Sequence, residues 1–193
     1  MLKFYCVFIV SFVSFVECGY SQQVPYIDAV NALAAANDYK TNTLDTTITD
    51  VESSANYVDS LETEAETKRV LAIAYLMTNY SLTLEEAITY IAGGYSYQCL
   101  ALSNKASAES LIEVGTEVRA EGVATESSFY AAVSSEFLNP PNNQDFDIAV
   151  GWAEDMLDLF TDSKSYFDNA NEYYSGAGTN FYQAISYYDS YMY

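Results

Sequence analysis

Four glutamates, Glu109, Glu113, Glu117 and Glu121, follow one another at intervals of four residues, and we call them the acidic row. On a helix this spacing puts them on one face, where each pair of neighbouring like charges costs about 0.2–0.5 kcal/mol. Hard cations such as Ca²⁺ bind carboxylate oxygens, so a calcium site or a contact with a basic partner is one interpretation. A solvated acidic face accounts for the same spacing without a ligand. We therefore predict an exposed row and no metal site.

A second acidic cluster resembles a calcium loop in part. Asn143, Asp145, Asp147 and Glu154 stand at the first, third, fifth and twelfth positions of an EF-hand loop. The sixth position, however, is Ile148, where the sharp turn of that loop requires glycine. Asn143 or Asp145 is explained equally well as the cap of a helix that follows. We predict a helix start here and no calcium.

The chain contains no histidine, which removes Ser-His-Asp and Cys-His nucleophile pairs and imidazole ligands for zinc or haem. A carboxylate pair could still hydrolyse glycosides, since that chemistry needs no imidazole. The sequence has 27 Asp and Glu residues, and nothing distinguishes one pair of them as catalytic. We predict a non-enzymatic protein with no catalytic residues and no cofactor.

The N-terminus predicts secretion. Lys3 precedes an apolar run over residues 4–16, which small residues follow. This is the three-part pattern of a signal peptide, here residues 1–18, with cleavage after Ser21 as the alternative. The run is too short to span a bilayer, which needs about 20 apolar residues in a helix. The mature chain is then extracellular.

Signal removal decides the cysteine chemistry. Cys6 and Cys18 leave with the signal peptide, so Cys99 stays as a single thiol and no internal disulfide can form. We expect Cys99 to be a buried small apolar residue, and an intermolecular disulfide is the alternative.

Tyrosine is the unusual component, with 19 residues in a chain of 193. Eight lie in a Tyr-rich C-terminal segment, residues 166–193. Tyr187, Tyr188, Tyr191 and Tyr193 are too closely spaced to face one core together, so they are candidates for an interaction surface. Core filling with hydroxyls that reach water, oxidative cross-linking and sulfation are the other interpretations.

Two further features concern partners. Asn79-Tyr80-Ser81 is the one N-glycosylation sequon, and it lies at an expected turn, so Asn79 is a glycosylation candidate in a eukaryotic source. The formal net charge of −20 and a pI near 4.1 repel nucleic acids and anionic membranes. An extracellular protein or matrix is the partner that we expect. The sequence does not indicate an oligomeric state.

Apolar residues recur at intervals of three and four after residue 25, which predicts an all-α fold. Serine and threonine are frequent and are mediocre helix formers, so packing must hold the helices together. We predict one domain over residues 22–193, an antiparallel bundle of four or more long helices plus short ones. A coiled coil is the alternative, but we do not expect the heptad pattern to persist beyond about three heptads.

Capping residues, glycines and prolines predict the helix boundaries. Helices should begin near Pro25, near Thr43 or Asp45, and at Thr83, which forms a capping box with Glu86. The remaining signals interrupt helices: a kink, break or close crossing at Gly93-Gly94, an end near Gly122 with a new start at Thr125 or Ser127, a boundary at Pro140-Pro141, and a break over residues 175–178.

These features favour a secreted structural or interaction protein. The alternative is a carrier of a small apolar ligand held between helices. Aromatic and methionine residues on apolar faces suggest it: Tyr75, Met77, Trp152, Met156 and Phe160. A continuous apolar cavity would favour the carrier, and a filled core with exposed tyrosines would favour the interaction protein.

Overall fold

A computed structural model describes residues 20–138 and 144–192, and every regular element in these ranges is helical. The all-α prediction is therefore confirmed for this part of the chain. The signal peptide predicted for residues 1–18 lies outside the described residues. No helix in the described ranges is long and apolar enough to cross a membrane.

Four of the helices are long and one is short, as the bundle prediction requires. The elements, in chain order, are α1 (Tyr20–Tyr39), a π-helical turn (Lys40–Leu44), α2 (Asp45–Asn79), α3 (Leu84–Tyr90), α4 (Ala92–Leu138) and α5 (Gln144–Asp189). Helix α4 ends just before the proline pair, which confirms that boundary. Residues 139–143, including the predicted cap Asn143, lie outside the described residues.

The chain divides into two compact units. Among the described residues, 20–41, 119–138 and 144–160 form unit 1, and 42–118 and 161–192 form unit 2. In unit 1 the buried side chains of Ala29, Phe129, Ala149 and Ala153 form a core cluster. The ring of Tyr26 packs 5.7 Å from the rings of both Phe137 and Phe146.

Unit 2 contains α2, α3 and parts of α4 and α5. Helices α4 and α5 are antiparallel here. The Tyr188 hydroxyl of α5 donates to Gln98 of α4, and the Ser163 hydroxyl, earlier in α5, donates to the carbonyl of Gly115, later in α4. Helix α2 also runs antiparallel to α4. Its Glu62 contacts Lys105, and its Glu66, further along the chain, contacts the earlier residue Gln98.

Buried positions recur every seven residues along α4 and α5. On α5 they are mostly aromatic, and on α4 mostly small: Phe146, Ala153, Phe160, Phe167, Tyr174, Phe181 and Tyr188 on α5, against Gly94, Ala101, Ala108, Gly115, Gly122, Phe129 and Glu136 on α4. The expectation that the heptad pattern ends after about three heptads is wrong. Glycine and alanine concealed the pattern in the sequence because they are not strongly apolar.

The glycines on α4 let aromatic rings of α5 approach its backbone. An added methyl group would lie 2.5 Å from Tyr188 Cε1 at Gly94 and 2.7 Å from Phe160 Cε1 at Gly122. The close crossing predicted at Gly93-Gly94 is confirmed, and α4 begins beside it at Ala92. The helix end predicted at Gly122 is wrong, because this glycine serves interhelical packing and α4 continues through it.

The break predicted over residues 175–178 is also wrong, since α5 is continuous from Gln144 to Asp189. Ala177 and Gly178 are buried. The backbone of Gly178 lies beside Tyr57, Val58 and Leu61 of α2. Packing offsets the cost of about 1 kcal/mol that each glycine imposes on a helix.

A π-helical turn separates α1 from α2. On each side of the turn, buried residues are seven positions apart, as in Ala29 and Ala36 of α1. Across the turn, however, Leu44 lies eight positions after Ala36. The π-helix closes its hydrogen bonds over one more residue than the α-helix. Lys40–Leu44 therefore accommodates a one-residue insertion in the seven-residue pattern.

The capping box predicted for α3 is confirmed. The Thr83 hydroxyl oxygen accepts from the Glu86 N–H, and the Glu86 carboxylate accepts from the Thr83 N–H at 2.8 Å. The Thr83 N–H and the Thr83 hydroxyl both donate to the Glu86 carboxylate, and these bonds to its charged form hold the pKa of Glu86 below the usual range.

Candidate functional site

A surface groove lies between α2 and α5 in unit 2, with a volume of about 570 Å³. This volume is within the range of about 300–1,000 Å³ that small-molecule sites occupy. Ten residues line it, three from α2 and seven from α5: Ser54, Tyr57, Val58, Asn171, Tyr174, Ser175, Gly178, Thr179, Tyr182 and Gln183. We call this the α2–α5 groove.

The floor of the groove is apolar and its sides carry polar groups. Val58, Tyr174 and Gly178 are buried. A methyl group added at Gly178 would lie 3.7 Å from Tyr57 Cε1 and from Leu61 Cδ1, which is ordinary van der Waals contact, so Gly178 lies directly beside α2. Tyr57 and Tyr182 are 60% and 66% exposed, so most of each phenol ring is available to a ligand.

Hydrogen-bonding groups in the groove are neutral. The Ser54 hydroxyl donates to Asn171 Oδ1 at 2.6 Å, which links the two helices and leaves the amide nitrogen of Asn171 to donate elsewhere. Thr179 donates its hydroxyl to the Ser175 carbonyl within α5. None of the lining side chains is charged, although the chain carries 27 carboxylates. The groove therefore suits an uncharged polar ligand.

The four candidate tyrosines at the C-terminus do not form one surface. Tyr188 is fully buried, and its hydroxyl donates to Gln98 Oε1 at 2.9 Å. A side chain with no exposed area cannot contact a partner, so Tyr188 is removed from the predicted interaction surface. Burial raises its pKa to about 12.

Tyr187 and Tyr191 are half-buried and lie together. Their ring centroids are 5.5 Å apart, and the Tyr191 hydroxyl lies 2.9 Å from the Tyr90 carbonyl oxygen. The adjacent Tyr187 hydroxyl, together with burial, raises the pKa of Tyr191 to about 12. Tyr193 lies outside the described residues. The exposed tyrosines are elsewhere: Tyr57, Tyr80, Tyr90, Tyr95, Tyr97, Tyr130, Tyr173 and Tyr182.

A polar network extends from Tyr188 to the surface of unit 2. Gln98 Nε2 donates to Glu66 Oε2 at 3.2 Å, and Arg69 donates two bonds to the same carboxylate. The bonds from Arg69, then that from Gln98, lower the pKa of Glu66 against its partial desolvation. The Arg69 guanidinium also lies 6.0 Å from the ring centroid of Tyr95. The network links α2, α4 and α5.

The acidic row is exposed along α4, as predicted. Across the described ranges no group of three or more Asp, Glu or Cys side chains is placed to hold a metal ion. Asp145 and Asp147 belong to the first turn of α5 rather than to a loop. Asp145 donates its backbone N–H to the buried carboxylate of Glu136 at 3.1 Å.

Cys99 is an exposed free thiol, so the expectation of a buried cysteine is wrong. Its neighbour Gln98 occupies the buried position of α4 instead. The seven-residue pattern made of glycine and alanine, described above, is the signal that would have placed Cys99 outside the core.

Asn79 is exposed at the last residue of α2, and its side chain donates to the Tyr75 carbonyl at 3.1 Å. The following turn includes Ser81 at a φ of 53°. An exposed helix end next to a turn is accessible to modification.

Exposed apolar side chains concentrate where α2 leads through α3 into α4. Over residues 70–102 only Glu85 and Glu86 are charged. We call the exposed members the charge-poor surface: Val70, Leu71, Met77, Tyr80, Leu84, Ile88, Tyr90, Tyr95, Tyr97, Leu100 and Leu102. Exposed apolar side chains that gather into one patch mark interaction sites in soluble proteins.

The residues that suggested a ligand carrier do not line the groove. Met156 and Phe160 are buried in the core of unit 1, and Trp152 is 38% exposed. Tyr75 and Met77 belong to unit 2 and are also absent from the groove lining. None of the five residues that suggested a carrier of a small apolar ligand lines the groove, so their positions do not support that function.

Comparison with known proteins identifies no relative. No family model matches the chain, no curated protein matches its sequence and no solved structure matches its fold.

Proposed function

We propose that this is a secreted, non-enzymatic structural or interaction protein that assembles with a second copy of itself through the charge-poor surface. The observation that carries the proposal is the concentration of eleven exposed large apolar side chains within residues 70–102. Interfaces between identical subunits are more apolar than the rest of a protein surface.

The charge distribution favours a second copy as the occupant. With a net charge of −20, two copies repel each other over most orientations. Residues 70–102 bring only two carboxylates per copy, and Glu86 is engaged in the α3 capping box. The cations next to this surface form ion pairs of their own, Lys68 with Asp189 and Arg69 with Glu66. Contact through the charge-poor surface therefore brings the fewest like charges together.

Self-association is tested by multi-angle light scattering at rising protein concentration, in a Cys99→Ser background that removes thiol cross-linking. We expect a monomer–dimer equilibrium that shifts toward dimer as NaCl increases, because screening weakens the repulsion between acidic copies. Ile88→Glu and Leu100→Glu, at residues 48% and 55% exposed, should return the protein to monomer. Val30→Glu is the matched control, since Val30 is 41% exposed but lies in unit 1. A monomer at every concentration, or equal effects of all three substitutions, would contradict the proposal.

Secretion is tested separately, by sequencing the N-terminus of the protein recovered from the medium of expressing eukaryotic cells. We expect the mature chain to begin after Cys18 or Ser21. Recovery of a chain that begins at Met1 would refute the signal peptide.

A further inference from the structure

We propose that the α2–α5 groove binds a neutral oligosaccharide. This inference goes beyond self-association and uses none of the side chains of the charge-poor surface. Both lie in unit 2, but the groove is formed by the N-terminal half of α2 and the C-terminal half of α5.

The two exposed tyrosines supply the first requirement of a sugar site. The faces of a pyranose ring expose C–H groups, which pack on the electron-rich face of an aromatic ring. Tyr57 comes from α2 and Tyr182 from α5, and both rings are more than half exposed. Tyrosine is also a low-entropy contact residue, because only two side-chain torsions are fixed on binding.

The neutral polar groups supply the second requirement. Sugar hydroxyls both donate and accept hydrogen bonds, and so do the side chains of Ser54, Asn171, Ser175 and Gln183. Asn171 is held by its bond from Ser54, so its free amide nitrogen is a positioned donor. A proline-rich peptide would need donors alone, since its backbone carbonyls only accept. The mixed donors and acceptors of the groove favour the sugar.

Charge argues against metal ions and anionic ligands. A metal cation such as Ca²⁺ would be held by carboxylates, and the groove lining has none. An anionic ligand such as a sulfated glycan would be repelled by the net charge of −20. An uncharged ligand meets neither obstacle.

The experiment measures binding of four neutral hexasaccharides (chitohexaose, cellohexaose, maltohexaose and a β-galactan hexamer) to the full mature protein, by saturation-transfer NMR and calorimetry. A heparin hexasaccharide and a proline decapeptide are the competing probes. We expect at least one neutral sugar to bind, with an affinity that does not change with NaCl, and no binding of heparin or of the peptide.

Three variants locate the site. Tyr57→Ala and Tyr182→Ala should each weaken binding by about tenfold or more. Tyr173→Ala is the matched control, because Tyr173 is 44% exposed on the same helix but does not line the groove. Circular dichroism and melting curves verify that each variant is folded, which we expect because both groove tyrosines are largely exposed.

The proposal is overturned if none of the four sugars binds, if the peptide or heparin binds in their place, or if Tyr173→Ala weakens sugar binding as much as Tyr182→Ala. Light scattering on the same variants tests whether they still self-associate, so a failure of sugar binding can be distinguished from a failure of self-association. Groove variants that lose sugar binding should still dimerise.

Discussion

The Tyr188 hydroxyl is a buried polar group of unit 2. It is fully buried and has Gln98 Oε1 as its partner. Tyr188→Phe should lower the free energy of unfolding by about 1–3 kcal/mol, because it leaves a buried acceptor without a hydrogen bond. Urea unfolding measures the loss. Tyr182→Phe is the control and should change stability by less than about 0.5 kcal/mol, since that hydroxyl is exposed.

The same residue predicts how stability depends on pH. Burial raises the pKa of Tyr188 to about 12 in the native state, above the value near 10 of an unfolded chain. Between these values the native state binds more protons than the unfolded state, so stability is complete below about pH 10 and falls as the pH approaches 12. Melting temperatures measured across this range should fall less steeply in Tyr188→Phe than in the wild type. If the melting temperatures of the variant and the wild type fall in parallel between about pH 10 and about pH 12, Tyr188 does not contribute to the loss of stability at alkaline pH.

At the scale of helices, glycine has opposite effects at two positions. A methyl group added at Gly94 would lie 2.5 Å from Tyr188 Cε1, whereas Gly151 has no atom within 4 Å of that position. Gly94→Ala should destabilise the protein by about 1–3 kcal/mol, because the helices must separate. Gly151→Ala should stabilise it by about 0.5–1 kcal/mol through helix propensity. Denaturant midpoints of the two variants should lie on opposite sides of the wild-type value.

The π-helical turn gives a second prediction at this scale. Deleting Thr41, which is exposed within the turn, should convert Lys40–Leu44 to α-helix and restore a spacing of seven between Ala36 and Leu44. Stability should change by about 1 kcal/mol or less, because no buried side chain changes face. Deleting Ser53 within α2 is the control. It rotates later buried residues by about 100° around the helix axis and should prevent folding, as circular dichroism would show.

Much of the helical architecture could be predicted from the sequence. Apolar spacing located the helices, and Thr83 with Glu86 located the start of α3. The helix start predicted near Pro25 is wrong, because that helix begins at Tyr20 and contains Pro25. Glycine and alanine account for the errors within α4 and α5, since the same residue that ends one helix permits a close crossing in another. Gly122 and Gly178 could be assigned only when the aromatic rings of the neighbouring helix were known.

The candidate site was less accessible to sequence analysis than the fold. Tyr57 and Tyr182 are 125 positions apart in the chain and belong to no motif. Only the packing of α2 beside α5 brings them to one groove. Tyr188 was misassigned to the surface for a related reason: its burial depends on the space that Gly94 leaves on α4.

Over the whole molecule, charge should govern stability. The acidic row is exposed and the chain has a net charge of −20, so repulsion opposes the compact state. The melting temperature should rise as NaCl increases from about 0.1 M to about 1 M, where the screening length falls from about 10 Å to about 3 Å. The melting temperature should be the same with and without about 1 mM Ca²⁺ when NaCl keeps the ionic strength matched. A calcium-specific rise that Glu113→Gln and Glu117→Gln abolish would contradict the assignment of an exposed, metal-free row.

The π-helical turn also determines where the folded protein should first be cut by a protease. Trypsin cleaves after Lys and Arg, of which the chain has seven, and Lys68, Arg69, Lys105 and Lys164 are engaged in ion pairs within or between helices. Lys40 begins the turn, whose hydrogen-bonded geometry is less favourable than that of the α-helices beside it. Local opening is easiest at such an interruption. Limited digestion should therefore release the segment before Thr41 first and leave α2 to α5 as a single resistant fragment.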